Sequence, residues 1–472
     1  MTCATPSAGC WPSSPPRNWR NLRQRRRRKG SKRATVKRWS PSRTMTDTGL
    51  AAWLERLEAL HPREIDLGLE RVGVVAHRLG LLPVTVPVVT IAGTNGKGST
   101  AAALEALLLA AGRQPGVYTS PHLLRYNERI RVAGREADDG AIVAAFADIE
   151  RARAETSLSY FEFATLAALL VFRQQAADVL VLEVGLGGRL DAVNIVDPTV
   201  AVITSIGLDH QDWLGDDIDG IAREKAGILR SGVHAVIAES QPPRGLLEAV
   251  AASGANARYL GQDFYCDEAA DAWSPRLLQA SGEPVVLPPQ ARGALLPSNL
   301  CAALQAALLL GVDVAALPLR DIFAALQPAG RRQLRHIGGI DYLLDVAHNP
   351  QSVDKLVEYI DATPCKGKTI AIFSAMKDKD LKTMLGLTTG RFAAWFLADQ
   401  PDNPRAEQAA RLGDLLREQG EFMISVSKNL RQALRRAQSV MSEGDRLVVF
   451  GSFFTVAAVM PLLDRDESRG KA

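Results

Sequence analysis

Val88-Val89-Thr90-Ile91-Ala92-Gly93-Thr94-Asn95-Gly96-Lys97-Gly98-Ser99-Thr100 reads as a buried strand, a glycine-rich turn and a helix start. The β-branched apolar run gives the strand, and the glycines let backbone amides approach an anion closely. A helix N-terminus favours negative charge, and Lys97 is placed to reach the outer phosphates of a nucleotide. The general phosphate-loop pattern is matched only in part, since Ile91 stands where its first Gly belongs and Gly98 follows the lysine. Taken alone, the segment also fits an ordinary tight strand-to-helix turn.

The alternation continues on the C-terminal side. Strands are predicted at 88–92, 116–119, 179–184, 200–206 and 234–238, separated by helices at 97–111, 161–175 and 218–229, the pattern of a parallel sheet covered by helices. Short apolar pieces broken by Pro and Gly between Pro284 and Pro297 predict a small antiparallel appendage. Gln327-Pro328-Ala329-Gly330 breaks the preceding helix, and a fresh α/β pattern follows with strands at 342–346, 369–373, 394–398 and 446–451. The expected class is α/β, in two domains, 45–326 and 334–472, joined by a linker at 327–333.

Length and charge fit this division. A chain of 472 residues that is 47% apolar supports at least two cores. Residues 1–43 hold 13 Lys or Arg and no Asp or Glu, so removing them from the formal +4 leaves the remainder at −9. An acidic body does not suit a nucleic-acid-binding domain. Residues 1–44 are expected to be a disordered basic extension upstream of a true start at Met45, with a targeting role or a nucleic-acid tether as the alternative. The five cysteines show no CxxC spacing, which fits a reducing cytoplasm, and no run of eighteen apolar residues suggests a membrane span.

Three polar strand ends follow the first. Ser120 lies in Tyr118-Thr119-Ser120-Pro121-His122-Leu123, Glu183 closes the run 179–184, and Asp209-His210 follow the run from Val200. Strand ends of an open α/β sheet converge where ligands bind, and a hydroxyl, a carboxylate and an imidazole there could hold Mg²⁺ against ATP. His is an unusual Mg²⁺ ligand, and each residue alone also fits a cap, an ion pair or a satisfied histidine. Lys225, in the helical segment Gly220–Ile228, reads from sequence as a solvated helix residue.

Together these segments resemble the dihydrofolate synthase/folylpolyglutamate synthase family of the Mur ligase superfamily, from about Trp53 onward. The resemblance rests on Ile65–Val72 (IDLGLERV), GTNGKGS, SPHL, Tyr160-Phe161-Glu162, EVGLGGRLDA, the Leu208-Asp209-His210 segment, REKAG and Asp345–Pro350 (DVAHNP). It implies a P-loop-type parallel sheet in an N-terminal ATPase domain and a smaller Rossmann-like C-terminal domain. It further implies that Asn95, Gly96, Lys97, Gly98 and Ser99 bind ATP phosphates, with Asn299, Arg331 and Asp345 completing the ATP site. Ser120, Glu183 and His210 would hold magnesium. Lys225 matches a lysine carbamylated by CO₂, which reverses its reading as a solvated residue. Ile65, Asp66, Leu67, Ser159, Tyr160, Phe161, Glu162, Leu190, Asp191 and Ala192 match the pteroate-binding segments, with Val193 where the family commonly has Thr.

The implied enzyme is a cytoplasmic, monomeric, ATP- and Mg²⁺-dependent ligase of folate biosynthesis and one-carbon metabolism. It joins L-glutamate to dihydropteroate and to reduced folates through an acyl phosphate, with no nucleic-acid or membrane partner. Lys97, Lys225 and His348 are the expected catalytic residues, His348 as base or binding group. The alternatives are a folylpolyglutamate synthase only, another Mur-type ligase, a nucleotide-hydrolysing switch, or an RNA-binding tail.

Overall fold

The computed structural model describes residues 49–60 and 66–470. Eight strands build the first sheet: β1 Val88–Ala92, β2 Pro115–Tyr118, β3 Ile130–Val132, β4 Arg135–Glu136, β5 Val179–Glu183, β6 Val200–Ile203, β7 His234–Ile237 and β8 Asn256–Tyr259. Their order is β4-β3-β2-β5-β1-β6-β7-β8. All pairs from β2 to β8 are parallel, and the short β3 and β4 extend one edge antiparallel. Every residue of β1 and β5 is buried, which explains their unbroken apolar runs, since a parallel strand covered on both faces has no polar side. Val89 and Ile91 share one core with Leu104 and Leu107 of helix Lys97–Ala110 and with Leu300 and Leu304 of helix Pro297–Leu309. Helix Tyr160–Gln174 is buried without a break from Glu162 to Phe172.

The predicted appendage is an antiparallel sheet of β9 Tyr265–Glu268, β10 Ala272–Leu278, β11 Pro284–Val286 and β12 Gln290–Ala291, beginning earlier than the Pro-rich signal. A third sheet follows, of β13 Gln333–Ile337, β14 Ile340–Leu344, β15 Thr369–Phe373, β16 Trp395–Ala398, β17 Ile424–Ser427 and β18 Arg446–Phe450. Its order is β13-β14-β18-β15-β16-β17, parallel except for the β13–β14 hairpin. The strand period of two divides its residues between two cores. Leu343, Phe373 and Val448 face one, while Leu344, Ile372 and Val449 face the other.

Some predicted bounds need correction. The run from Val200 leaves the sheet at Ile203, not at 206, because Thr204 and Ser205 turn to hydrogen-bond the loop after β1. Helix 218–229 ends at Ala226, where Gly227 packs so closely on Arg189 that a Cβ there would lie 2.2 Å from the Arg189 Cβ. Residues 1–44 and Ile65 lie outside the described residues. Among the described residues no helix is long and apolar enough to cross a membrane.

Candidate active site

The loop Gly93–Gly96 hangs between β1 and its helix, braced by the end of β6. Thr94 and Asn95 donate their backbone N–H groups to the Ser205 carbonyl (2.6 Å) and Oγ (3.0 Å), and Thr204 Oγ1 donates to the Asn95 carbonyl (2.7 Å). Two glycines are dictated by this packing. Gly93 has φ +151°, and a Cβ there would stand 1.9 Å from Thr204 Oγ1; Gly96 has φ +88°, and its Cβ would stand 2.5 Å from Asn299 Oδ1. Gly93→Ala is therefore expected to lower stability by about 2 to 3 kcal/mol, read as a fall in melting temperature, through overpacking and backbone strain together. An unchanged melt would mean that the loop is not held in this form. Gly96 caps the helix without any side-chain hydrogen bond, so the first-turn amides of Lys97, Gly98 and Ser99 meet no capping side chain at a positive helix end.

Two lysines meet at one carbonyl. Lys97 Nζ donates to the carbonyls of Gly93 (2.9 Å) and Thr94 (3.1 Å), and Lys225 Nζ, from helix Ile218–Ala226, donates to Gly93 (3.0 Å). Burial lowers both lysines, against the pull of nearby carboxylates; for Lys225, burial and then the charge of Lys97 bring it to about 7. Lys225 is 5% exposed, so the solvated-helix reading of its sequence is wrong; the helix turns it inward. Glu183 ends β5 buried, accepts the Ser120 N–H (3.1 Å), and is raised by burial against the pull of Lys97 and Arg331. His210 follows in a left-handed conformation (φ 51°) beside Lys97 and Lys225, lining the same small cavity as Gly93 and Gly185.

The third sheet reaches this loop directly. Arg331 lies over the Phe453 ring (5.1 Å), with Nη2 3.4 Å from where a Gly98 Cβ would be. Both oxygens of Asp345 already accept one N–H each, from Arg332 (2.8 Å) and Ala347 (2.7 Å), and burial raises the carboxyl. His348 directs Nδ1 at the Val346 carbonyl (2.8 Å) and Nε2 at Asp209 Oδ2 (3.2 Å). Both ring nitrogens are thus engaged within the protein, Nδ1 at the turn after β14 and Nε2 across to the first sheet. Asn349 and Gln351 bond the Asn95 side chain, at 2.9 Å through Asn349 Nδ2 and 2.8 Å through Gln351 Oε1. Sequence reasoning missed Asn349, Gln351 and Lys379, which pairs with Asp209. For Asn349 and Gln351 the signal was available, since both follow β14 of the third sheet, the placement already used for His210.

The other candidate set gathers separately around the end of β5. Gly68 N donates to the Leu190 carbonyl (3.2 Å), joining the segment containing Asp66 and Leu67 to Leu190, Asp191 and Ala192. Asp191 accepts the N–H groups of Gly185, Leu186 and Val193 at 2.9–3.0 Å, and burial raises it to about 6 despite them. Ser159 and Glu162 form a reciprocal helix cap, and Glu162 also pairs with Arg71 (3.1 Å), which itself holds Asp66 (2.8 Å). Phe161 packs so tightly on the β5 exit that a Gly185 Cβ would stand 2.5 Å from its Cζ, and Arg129 lies over the Tyr160 ring (5.6 Å). Val193 is fully buried, a packing position that calls for no hydroxyl.

Among the described residues no three His, Cys, Asp or Glu side chains cluster to hold a metal. Mg²⁺ needs few protein ligands, since phosphate oxygens and waters complete its shell. A buried carboxylate facing the phosphate loop, with a serine beside it, fits that requirement.

Residues 91–263 match the Mur ligase middle domain and residues 330–453 match the Mur ligase glutamate ligase domain. The dihydrofolate synthase/folylpolyglutamate synthase of Escherichia coli K12 is 42% identical over 423 residues, 89% of this chain and 97% of that protein. The structure of E. coli FolC in complex with DHPP and ADP superposes with a TM-score of 0.84 at 40% identity, covering 89% of this chain and 99% of that one. A bifunctional folylpolyglutamate synthase/dihydrofolate synthase with Mn, AMPPNP and L-glutamate bound gives 0.79 at 40% identity, covering 89% and 99%. With the ordered motifs now seen on converging strand ends, this similarity along nearly the whole chain places the protein in the dihydrofolate synthase/folylpolyglutamate synthase family of Mur ligases.

Proposed function

We propose that the chain is an ATP-dependent acid–amino-acid ligase that adds L-glutamate to dihydropteroate, forming dihydrofolate, and to reduced folates. The observation that carries the reading is the union of a phosphate loop, a buried Glu183, a buried Lys225 and a half-buried Lys97 at one edge of a parallel sheet, with third-sheet residues closing over them. The likeness to relatives solved with ADP, DHPP, Mn and L-glutamate supports it. The change of sheet membership between Ala291 and Gln333 supports the division into 45–326 and 334–472 around the 327–333 linker.

A carboxylate resists attack by an amine, so it must first gain a leaving group. The γ-phosphoryl group moves from ATP to a carboxylate oxygen, breaking its bond to ADP and forming an acyl phosphate. The glutamate amine then attacks the acyl carbon, and phosphate departs with that oxygen. Transfer of this kind needs positioning and charge neutralisation above all. The loop residues Asn95 to Ser99, through the first-turn amides of Lys97, Gly98 and Ser99, and the Lys97 ammonium would hold the phosphates, with Asn299, Arg331 and Asp345 lining the nucleotide. Ser120, Glu183 and His210 would hold Mg²⁺, which neutralises phosphate charge when bound. Asp66, Leu67, Ser159 to Glu162 and Leu190 to Ala192 would frame the pteroate. A cytoplasmic monomer acting on small molecules completes the proposal.

With ¹⁸O in the substrate carboxylate, one labelled oxygen is expected in the released phosphate. Unlabelled phosphate would overturn the acyl phosphate route, and ADP release independent of acid and glutamate would favour a nucleotide switch.

A further inference from the structure

Asp209 is 8% exposed and accepts four hydrogen bonds. The N–H of His210 (2.7 Å) and Lys379 Nζ reach Oδ1, while His348 Nε2 (3.2 Å) and Asn349 Nδ2 (3.0 Å) reach Oδ2. Burial would raise this carboxyl, but the hydrogen bond and charge of His348, with the charges of His210 and Lys379, hold it well below the usual carboxylate range. All three side-chain donors come from turns after β14 and β15 of the third sheet, and Asp209 itself follows β6 of the first.

The Lys379 and Asp209 side chains are 7% and 6% exposed, and the nearest other carboxylate to Lys379 is Asp378 at 3.6 Å. Removing two charges from water is costly, and an apolar pair would often be at least as stable, so a buried ion pair is weak evidence of a stabilising role. Its position suggests another use. His210 adopts φ 51° without being glycine, a conformation that persists only where neighbours impose it. The adjoining Asp209 accepts the His210 N–H, and its side chain is gripped from the third sheet. Asn349 ties the same point to the phosphate loop, since its Nδ2 donates both to Asp209 and to Asn95 Oδ1 (2.9 Å).

We propose that Lys379 is a positioning residue for the ligase reaction: by gripping Asp209 it fixes the His210 turn and, through Asn349, the Asn95 end of the phosphate loop. The nucleotide site then takes its working form only when the third sheet is seated against the first. This rests on the proposed nucleotide site at that loop. A buried lysine whose one buried acceptor is Asp209 fits such a latch, and substituting one partner of a buried charge pair leaves the other unpaired.

The test is a double-mutant cycle on the full chain, with Lys379→Met, Asp209→Asn and the pair together, plus Lys379→Arg as conservative variant. Wild-type ADP release that requires both acid and glutamate first checks the function itself. Lys379→Met is expected to lower kcat about 30-fold, with KM for dihydropteroate within about twofold. AMPPNP and Mg²⁺ binding, followed by calorimetry, should weaken about tenfold. Lys379→Arg should recover most of the loss, and the double variant should be no slower than Asp209→Asn. If Lys379→Met does not fold, Lys379→Gln takes its place in the cycle. The proposal fails if kcat stays within about threefold of wild type, or if the two single losses multiply in the double variant. It also fails if only the glutamate KM rises while AMPPNP binding is unchanged, which would make Lys379 a glutamate-contacting group.

Discussion

Lys97→Ala is expected to lower ligase turnover about 10,000-fold, the scale on which a cationic phosphate contact acts in phosphoryl transfer. The ammonium sits at the positive end of the helix Lys97–Ala110 and spends its hydrogen bonds on the Gly93 and Thr94 carbonyls. Those are weak, neutral partners for a cation, readily exchanged for phosphate oxygens. Burial lowers the group, and Arg331 adds to that, while the three carboxylates of Glu183, Asp209 and Asp191 act in the other direction. Alanine would leave Glu183 facing the bound phosphates with one cation fewer, so the loss should fall on kcat as well as on the KM for ATP. Lys97→Arg should not restore activity, because the broad guanidinium fork does not fit a pocket shaped around a single ammonium between two carbonyls. Following ADP release in a folded variant checks this. Turnover above about a tenth of wild type would remove the phosphate loop from the mechanism.

What the sequence revealed follows from how locally each feature is encoded. β1 and β5 were readable because full burial leaves uninterrupted apolar runs, and the loop between β1 and its helix was readable from its glycines. Edge strands were not readable. β13 alternates between half-buried and exposed residues, and β3 and β4 are too short to show a period. Ser159 and Glu162 match a pteroate segment, but Ser-x-x-Glu before an apolar run is also a capping signal, and the structure shows both cap bonds. Lys379 was invisible because its charge run, Lys377-Asp378-Lys379-Asp380, looks like a solvated turn, and its partner lies in another sheet. Lys225 needed the resemblance, since helical spacing cannot say which face of a short polar helix is covered.

Lys225→Ala is expected to lower turnover about 1,000-fold, the scale on which a preorganised polar group at the transition state acts. The structure places two ammonium groups on the one Gly93 carbonyl, an unfavourable arrangement that burial and the Lys97 charge express by bringing Lys225 to about 7. Near neutral pH a large fraction of Lys225 is therefore the free amine, the form that adds to CO₂. The amine nitrogen bonds the carbon and releases a proton, so a cation becomes a carbamate anion. Lys97 would then face an attractive partner in place of a repulsive one, and the new oxygens could hold a second metal. The sign follows from the lowered value: below about 7 the lysine keeps its proton and carbamate formation declines, while above it formation is favoured. Wild-type activity should therefore fall when dissolved CO₂ is stripped, more steeply on the acidic side. A short carboxylate such as formate should restore part of the activity of Lys225→Ala by supplying oxygens in the vacated space. Lys225→Ala turning over at more than about a tenth of the wild-type rate would show that this lysine only fills the core behind Gly93.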